Sequence, residues 1–201
     1  MNYWDEIYIG LKNTGILEWL AVITGILYVI LAARKIIYCW FFALISTAIF
    51  TFLCIEAGLY IESSLQIFYF VMAIYGWINW QHKANQDLPI KRWPLSYHLI
   101  NIILSSILTF TLGYLMSEFT NQKNPYLDAF TTVFSLAATF MVARRILENW
   151  IYWIVIDIAA AFLYSGRGLY VTGFHYIIFT IIAIFAWYKW YTYYKSQLTH
   201  D

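Results

Sequence analysis

Asn149, Trp150, Trp153 and Asp157 follow one another at spacings of one, three and four residues within an otherwise apolar stretch, Asn149-Trp150-Ile151-Tyr152-Trp153-Ile154-Val155-Ile156-Asp157. On a helix these spacings put an amide, two indoles and a carboxylate on one face. Such a face can stack on a flat ring, orient its polar edge and balance a positive charge. Gln66, Tyr69, Ala73, Gly76 and Trp80 recur at threes and fours and form a second mixed face, flanked by Tyr75 and Trp77. Small residues at Ala73 and Gly76 would let a neighbouring helix or a ligand come close. The chain has no His or Cys cluster with metal spacing, no glycine-rich phosphate loop and no Ser-His-Asp set. No catalytic residue, metal or cofactor is therefore expected, and Lys189 falls at a helix end rather than where a Schiff-base lysine would sit.

What surrounds these faces follows from composition. Of 201 residues, 62% are hydrophobic, 21% aromatic and only 11% charged, against about 25% charged in soluble domains. A soluble chain of this length cannot bury so much apolar surface, so the elements must lie in a membrane, and no nucleic-acid partner is expected. A carboxylate facing hydrocarbon is expensive, so Asp157 should face a cavity or a neighbouring helix. Its bland alternative is a structural hydrogen bond to a Tyr, Ser or Thr. Gln66 could likewise do no more than tie helices together. Cys39 and Cys54 both lie in apolar runs and read as packing residues. Asp5 and Glu6 near the start, without a basic n-region, argue against a cleaved leader.

A bilayer core about 30 Å thick takes about 20 apolar residues per helix. Segments 16–33, 36–57, 60–80, 97–116, 147–164 and 169–191 meet that measure, and 129–143 is short. The expectation is an all-α membrane protein of seven transmembrane helices. It divides into an N-terminal segment outside the membrane (1–15), a three-helix bundle (16–80), a loop with connector helix four (81–128), a second three-helix bundle (129–191) and a tail (192–201). With seven spans, nine of the twelve basic residues (Arg34, Lys35, Lys83, Lys91, Arg92, Arg144, Arg145, Lys189, Lys195) fall on one side and three (Lys12, Lys123, Arg167) on the other. The positive-inside rule then puts the C-terminus in the cytoplasm and the N-terminus outside.

Shifting the chain by 110 residues lays 31–80 over 141–190 without a gap, with fourteen of fifty positions identical. Arg34 falls on Arg144, Trp40 on Trp150, Gly58-Leu59-Tyr60 on Gly168-Leu169-Tyr170, and Trp77 and Trp80 on Trp187 and Trp190. Equivalent helices are four apart, so both copies run the same way: a 3+1+3 parallel repeat, an architecture used by transporters. The polar groups are not duplicated, since Asp157 falls on Thr47, Asn149 on Cys39 and Gln66 on Tyr176, as suits an asymmetric ligand. Trp77, Trp80, Trp187 and Trp190 lie near helix ends, where an aromatic belt is normal. His175 reads as an interface residue, and the paired basic residues as topology anchors.

The run Ala143-Arg144-Arg145-x-x-Glu148-Asn149-Trp150-x-x-Trp153 resembles the signature of the PnuC family of bacterial vitamin transporters. So do Leu65-Gln66-x-Phe68-Tyr69, Ile74-Tyr75-Gly76-Trp77, Leu88-Pro89-Ile90, Asp128-Ala129-Phe130-Thr131-Thr132 and both Gly-Leu-Tyr turns. The resemblance implies a multi-pass protein of the bacterial inner membrane, similar in arrangement to SWEET transporters. It also implies a uniporter passing an unphosphorylated vitamin down its gradient, with a cytoplasmic kinase trapping the product, and homotrimers among similar members. Together with the two mixed helix faces, it leads to the expectation that Gln66, Tyr69, Trp77, Asn149, Trp150, Trp153, Asp157 and Tyr176 bind the substrate. Within the family, some riboside carriers would carry asparagine on helix two and at the position of Asp157. Ser46 and Asp157 here depart from that pattern, so the expected substrate is thiamine, with nicotinamide riboside as the alternative. Proton carriage by Asp157 and a vitamin-binding receptor are the remaining rivals.

Overall fold

A computed structural model describes residues 15–56, 60–81, 89–120 and 122–199. Most of the expected N-terminal segment with Asp5, Glu6 and Lys12, the Gly58-Leu59 turn, Lys83, Leu88 and the last two residues of the tail lie outside the described residues. Among the described residues there are seven α-helices: α1 (Ile16–Ala33), α2 (Cys39–Glu56), α3 (Tyr60–Trp80), α4 (Leu95–Phe119), α5 (Pro125–Ala143), α6 (Asn149–Ser165) and α7 (Tyr170–Leu198). Apolar residues surround each helix, and many point outward: Ile100, Ile103, Ile107 and Phe110 on α4 are all more than half exposed. In lipid, helices satisfy their backbone internally and such faces cost nothing.

Five of these helices (α1, α2, α4, α5, α7) are long and apolar enough to cross a membrane. The short helix is not the fifth, as the sequence suggests. α5 has 19 residues because Pro125 starts it, placing Asp128 inside the first turn; proline suits that position, where its missing N–H is not needed. The short apolar helix is α6, with 17 residues. α3, with 21 residues, carries Glu62, Gln66 and Asn79 and falls outside the five.

α1 packs on α2 and α2 on α3; α5 packs on α6 and α6 on α7; α3 meets α5, and α1 meets α7. The six helices therefore close a ring, and α4 stands outside it against α5. Equivalent positions repeat their backbone geometry. Among the described residues, Lys35 (φ 58°) and Arg145 (φ 59°), 110 residues apart, are the non-glycine residues in the left-handed region. Each ends a helix by turning its amides back. Lys35 N–H donates to Ala32 O at 2.9 Å and Ile36 N–H to Leu31 O at 3.0 Å, while Arg145 N–H donates to Val142 O and Ile146 N–H to Met141 O, both at 2.9 Å. Glycine usually fills this position. Here a basic side chain takes it and reaches across to the other three-helix set: Lys35 lies over the Tyr193 ring, and Arg145 Nη1 donates to Asn79 O at 2.9 Å.

The loop before α4 closes over this same end. Lys91 N–H donates to Arg145 O and Leu147 N–H to Lys91 O, Ile90 N–H donates to the Gln197 side chain, and Arg92 Nε meets Glu148 Oε1 at 2.6 Å. Beneath it lie Trp40, Trp80, Trp150 and Trp190, all 2% exposed or less. Trp80 and Trp190 are thus not an aromatic belt. Each indole is turned inward by a bond from its N–H to a helix-end carbonyl, Trp80 to Ala143 and Trp190 to Ala32, both at 3.2 Å. Gly76 makes room for this layer, because a Cβ there would run into the benzo ring of Trp40. Replacing Gly76 by Val is expected to cost about 1–3 kcal/mol through overpacking, read as a lower unfolding midpoint in detergent; Gly15→Ala, where a Cβ meets nothing within 4 Å, should leave the midpoint unchanged.

Candidate functional site

The ring encloses a cavity of about 640 Å³ lined by α1, α2, α3, α5, α6 and α7, with no residue from α4. It runs from Glu18 and Glu62, near the starts of α1 and α3, down to Trp40 and Trp150. That size is within the usual range of small-molecule sites, about 300–1,000 Å³.

Six of the eight residues singled out in the sequence line it: Gln66, Tyr69, Trp150, Trp153, Asp157 and Tyr176. Helix periodicity explains the grouping on α6, where Trp150, Trp153, Asp157 and Tyr164 climb one face at threes, fours and sevens. Asp157 is 3% exposed, and its Oδ1 has no hydrogen-bond partner. That oxygen accepts no hydrogen bond from a neighbouring hydroxyl, as the bland alternative would need. Tyr69 OH and Ser135 Oγ lie 2.7 Å apart, tying α3 to α5 across the ring. Tyr176 stacks on Tyr164, their centroids 5.4 Å apart and their planes 7° from parallel.

Asn149 and Trp77 are not among the lining residues. Asn149 is the first residue of α6, fully buried, and its Nδ2 donates back to Ile146 O at 2.6 Å, so it braces the helix start. Trp77 is half-buried near the end of α3 with its ring edge against Tyr38. His175 does line the cavity, against its reading as an interface residue; its ring packs 4.2 Å from Phe179, and its Nε2 has no partner.

The first three helices also contribute Tyr28, Trp40, Ser46, Thr47 and Glu62, and α5 contributes Thr131, Ser135 and Thr139. Sequence reasoning passed over most of these, although Trp40 could have been found as the repeat counterpart of Trp150. The hydroxyls are largely committed: Ser46 donates to Ala21 O, Thr47 to Ala43 O, Ser135 to Thr131 O and Thr139 to Ser135 O. By contrast, Asp157 Oδ1 and the indole N–H groups of Trp40 and Trp150 are buried without a partner. Buried polar atoms left this way are uncommon, and these three belong to residues that line the cavity, where a ligand's polar groups could pair with them. The cavity thus offers aromatic faces, two buried indole donors and one buried carboxylate, with Glu18 and Glu62 at its exposed rim.

The family model described as nicotinamide mononucleotide transporter matches residues 15–192. The chain belongs to this family. Its PnuC relatives include the nicotinamide riboside transporter PnuC of Escherichia coli, 27% identical over 194 residues, 83% of this chain and 81% of that one. The riboflavin/roseoflavin transporter RibM of Streptomyces davaonensis is 23% identical over 54% of this chain and 53% of its own. A crystal structure of the vitamin B3 transporter PnuC superposes with a TM-score of 0.73, covering 96% of this chain and 88% of that one at 21% identity, and shows the shared fold. The protein is a multi-pass membrane vitamin transporter of the PnuC family, a family of transporters rather than enzymes. None of these matches supports the thiamine expectation. That expectation leaned on Ser46 and Asp157 in place of asparagine; the Ser46 hydroxyl donates to Ala21 O at 2.9 Å, joining α2 to α1.

The Tyr69–Ser135 bond is the side-chain tie at mid-cavity, and a cycle of Tyr69→Phe, Ser135→Ala and the double variant should show a coupling of about 0.5–1.5 kcal/mol in detergent unfolding. Additive losses would mean that the two hydroxyls do not act as a pair.

Proposed function

We propose that the protein imports nicotinamide riboside by facilitated diffusion. The observation that carries this reading is the unpartnered Asp157 carboxylate in a cavity walled by Trp153, Tyr69 and Tyr176. The pyridinium ring of the riboside bears a permanent positive charge. Aromatic faces attract such a ring by about 0.5–2 kcal/mol each, and Asp157 supplies the counter-charge. Gln66 and the indole N–H groups of Trp40 and Trp150 answer the carboxamide and the ribose hydroxyls. Relatives named as nicotinamide riboside transporters favour this substrate over thiamine.

On this reading the chain is a 3+1+3 parallel repeat of SWEET type, with α1–α3 and α5–α7 as the two bundles and α4 as the connector. The matching left-handed residues Lys35 and Arg145 support the repeat. The end rich in Lys and Arg faces the cytoplasm of a bacterial inner membrane, and the N-terminus lies outside. A cytoplasmic kinase traps the riboside, and the transporter assembles as a homotrimer.

Quenching of intrinsic tryptophan fluorescence tests the substrate, with nicotinamide riboside, thiamine and riboflavin titrated in parallel. Saturable quenching by the riboside alone is the expected outcome; saturable quenching by thiamine alone would restore the other branch. Asp157→Asn should weaken riboside binding about tenfold, equivalent to about 1.4 kcal/mol, and leave the neutral dihydro riboside unaffected. Equal loss for both ligands would remove the counter-charge role. Counterflow in liposomes separates a carrier from a receptor, and a pH gradient that drives no uptake removes proton coupling.

A further inference from the structure

Below the cavity floor, the four buried tryptophans form two layers. Trp40 and Trp150 line the cavity, whereas Trp80 and Trp190 do not and lie beneath them. Trp40 meets Trp80 edge-on, with centroids 5.4 Å apart and planes at 88°, and Trp150 meets Trp190 in the same way at 5.5 Å and 85°. These contacts stay within one three-helix set. Trp80 and Trp190 then meet each other across the two sets at 6.1 Å.

The hydrogen bonds are exchanged between the sets. Trp80, on α3, donates to the last residue of α5, and Trp190, on α7, donates to Ala32 at the end of α1. Further ties between the sets gather at this same end, with Arg145 on Asn79 O, Arg144 on the Tyr75 hydroxyl and Lys35 over Tyr193. The opposite end of the cavity is rimmed by Glu18 and Glu62, both exposed. Among the described residues, the cavity is therefore covered at the basic end and open at the other.

We propose that the Trp80–Trp190 pair, with its two exchanged N–H···O=C bonds, is the barrier that a substrate must pass to leave the cavity at the basic end. Opening separates α3 from α5 and α1 from α7, breaking the bonds between the sets, while the Trp40–Trp80 and Trp150–Trp190 contacts travel intact with their own helices. The role as a transport barrier rests on the transporter reading above. The seal itself is a property of the packing and can be measured without a substrate.

The test places a reporter cysteine at Thr139, which lines the cavity, in a chain whose native Cys39 and Cys54 are replaced by Ala. The protein is reconstituted in liposomes, and a membrane-impermeant maleimide is applied from either face. The parent should label from the Glu18 face and be protected from the basic face. Trp80→Ala with Trp190→Ala should raise labelling from the basic face by about tenfold or more, since two bonds and two large rings are lost. Trp187→Ala, at a half-buried ring outside the quartet, should change nothing. Trp80→Phe with Trp190→Phe keeps most of the packing but removes both donors, and should raise basic-face labelling several-fold; if the alanine pair does not fold, this variant decides. Unchanged protection in the tryptophan variants, or equal labelling of the parent from both faces, would overturn the proposal. Protection lost as expected without any riboside uptake by the parent would leave the seal standing and sink the substrate reading.

Discussion

Where α1 and α5 end, their last carbonyls have no following turn of helix to bond to. In water this would cost little, but in the packed interior of a membrane protein an unpaired carbonyl is expensive. The chain answers with indole N–H groups brought from the opposite three-helix set, at Ala143 and at Ala32, whose oxygen also accepts from Lys35 N–H. Much else follows from that exchange. The tryptophans must be buried, so Gly76 must lack a side chain where Trp40 lies against it. The helix ends must stay close, so Lys35 and Arg145 take left-handed backbone and reach over the seam.

Asp157 carries the opposite logic. The Trp80 and Trp190 N–H groups at the ring's end find partners, while this carboxylate oxygen in the middle finds none. An intramembrane acid left this way is tolerable only beside a cavity. The packing at the basic end keeps the helices together without drawing on the polar atoms that face the ligand space.

Helix periodicity and the 110-residue shift made the helices and much of the cavity legible in the sequence. Trp150, Trp153 and Asp157 could be placed on one face by spacing alone, and they do share the cavity. Asn149 has the same periodicity, but as the first residue of α6 its amide is captured by Ile146 O, which spacing cannot reveal. Trp80 and Trp190 illustrate a second limit. A tryptophan near a helix end looks the same in sequence whether it faces lipid headgroups or the protein axis, and only packing decides. α5 extends beyond the expected 129–143 because Pro125 opens it four residues earlier, a position that suits proline.

The shortness of α6 has a consequence for the lipid around it. Seventeen residues rise about 26 Å, less than the roughly 30 Å of a typical hydrocarbon core. Ile151, Val155, Ile158 and Phe162 form its outward face, so the bilayer there must thin to meet the helix, at a cost that grows with acyl-chain length. The helix that holds the carboxylate is the shortest of the seven described, one residue shorter than α1 and α2. Membrane thickness thus bears on the same helix that carries the cavity's buried carboxylate.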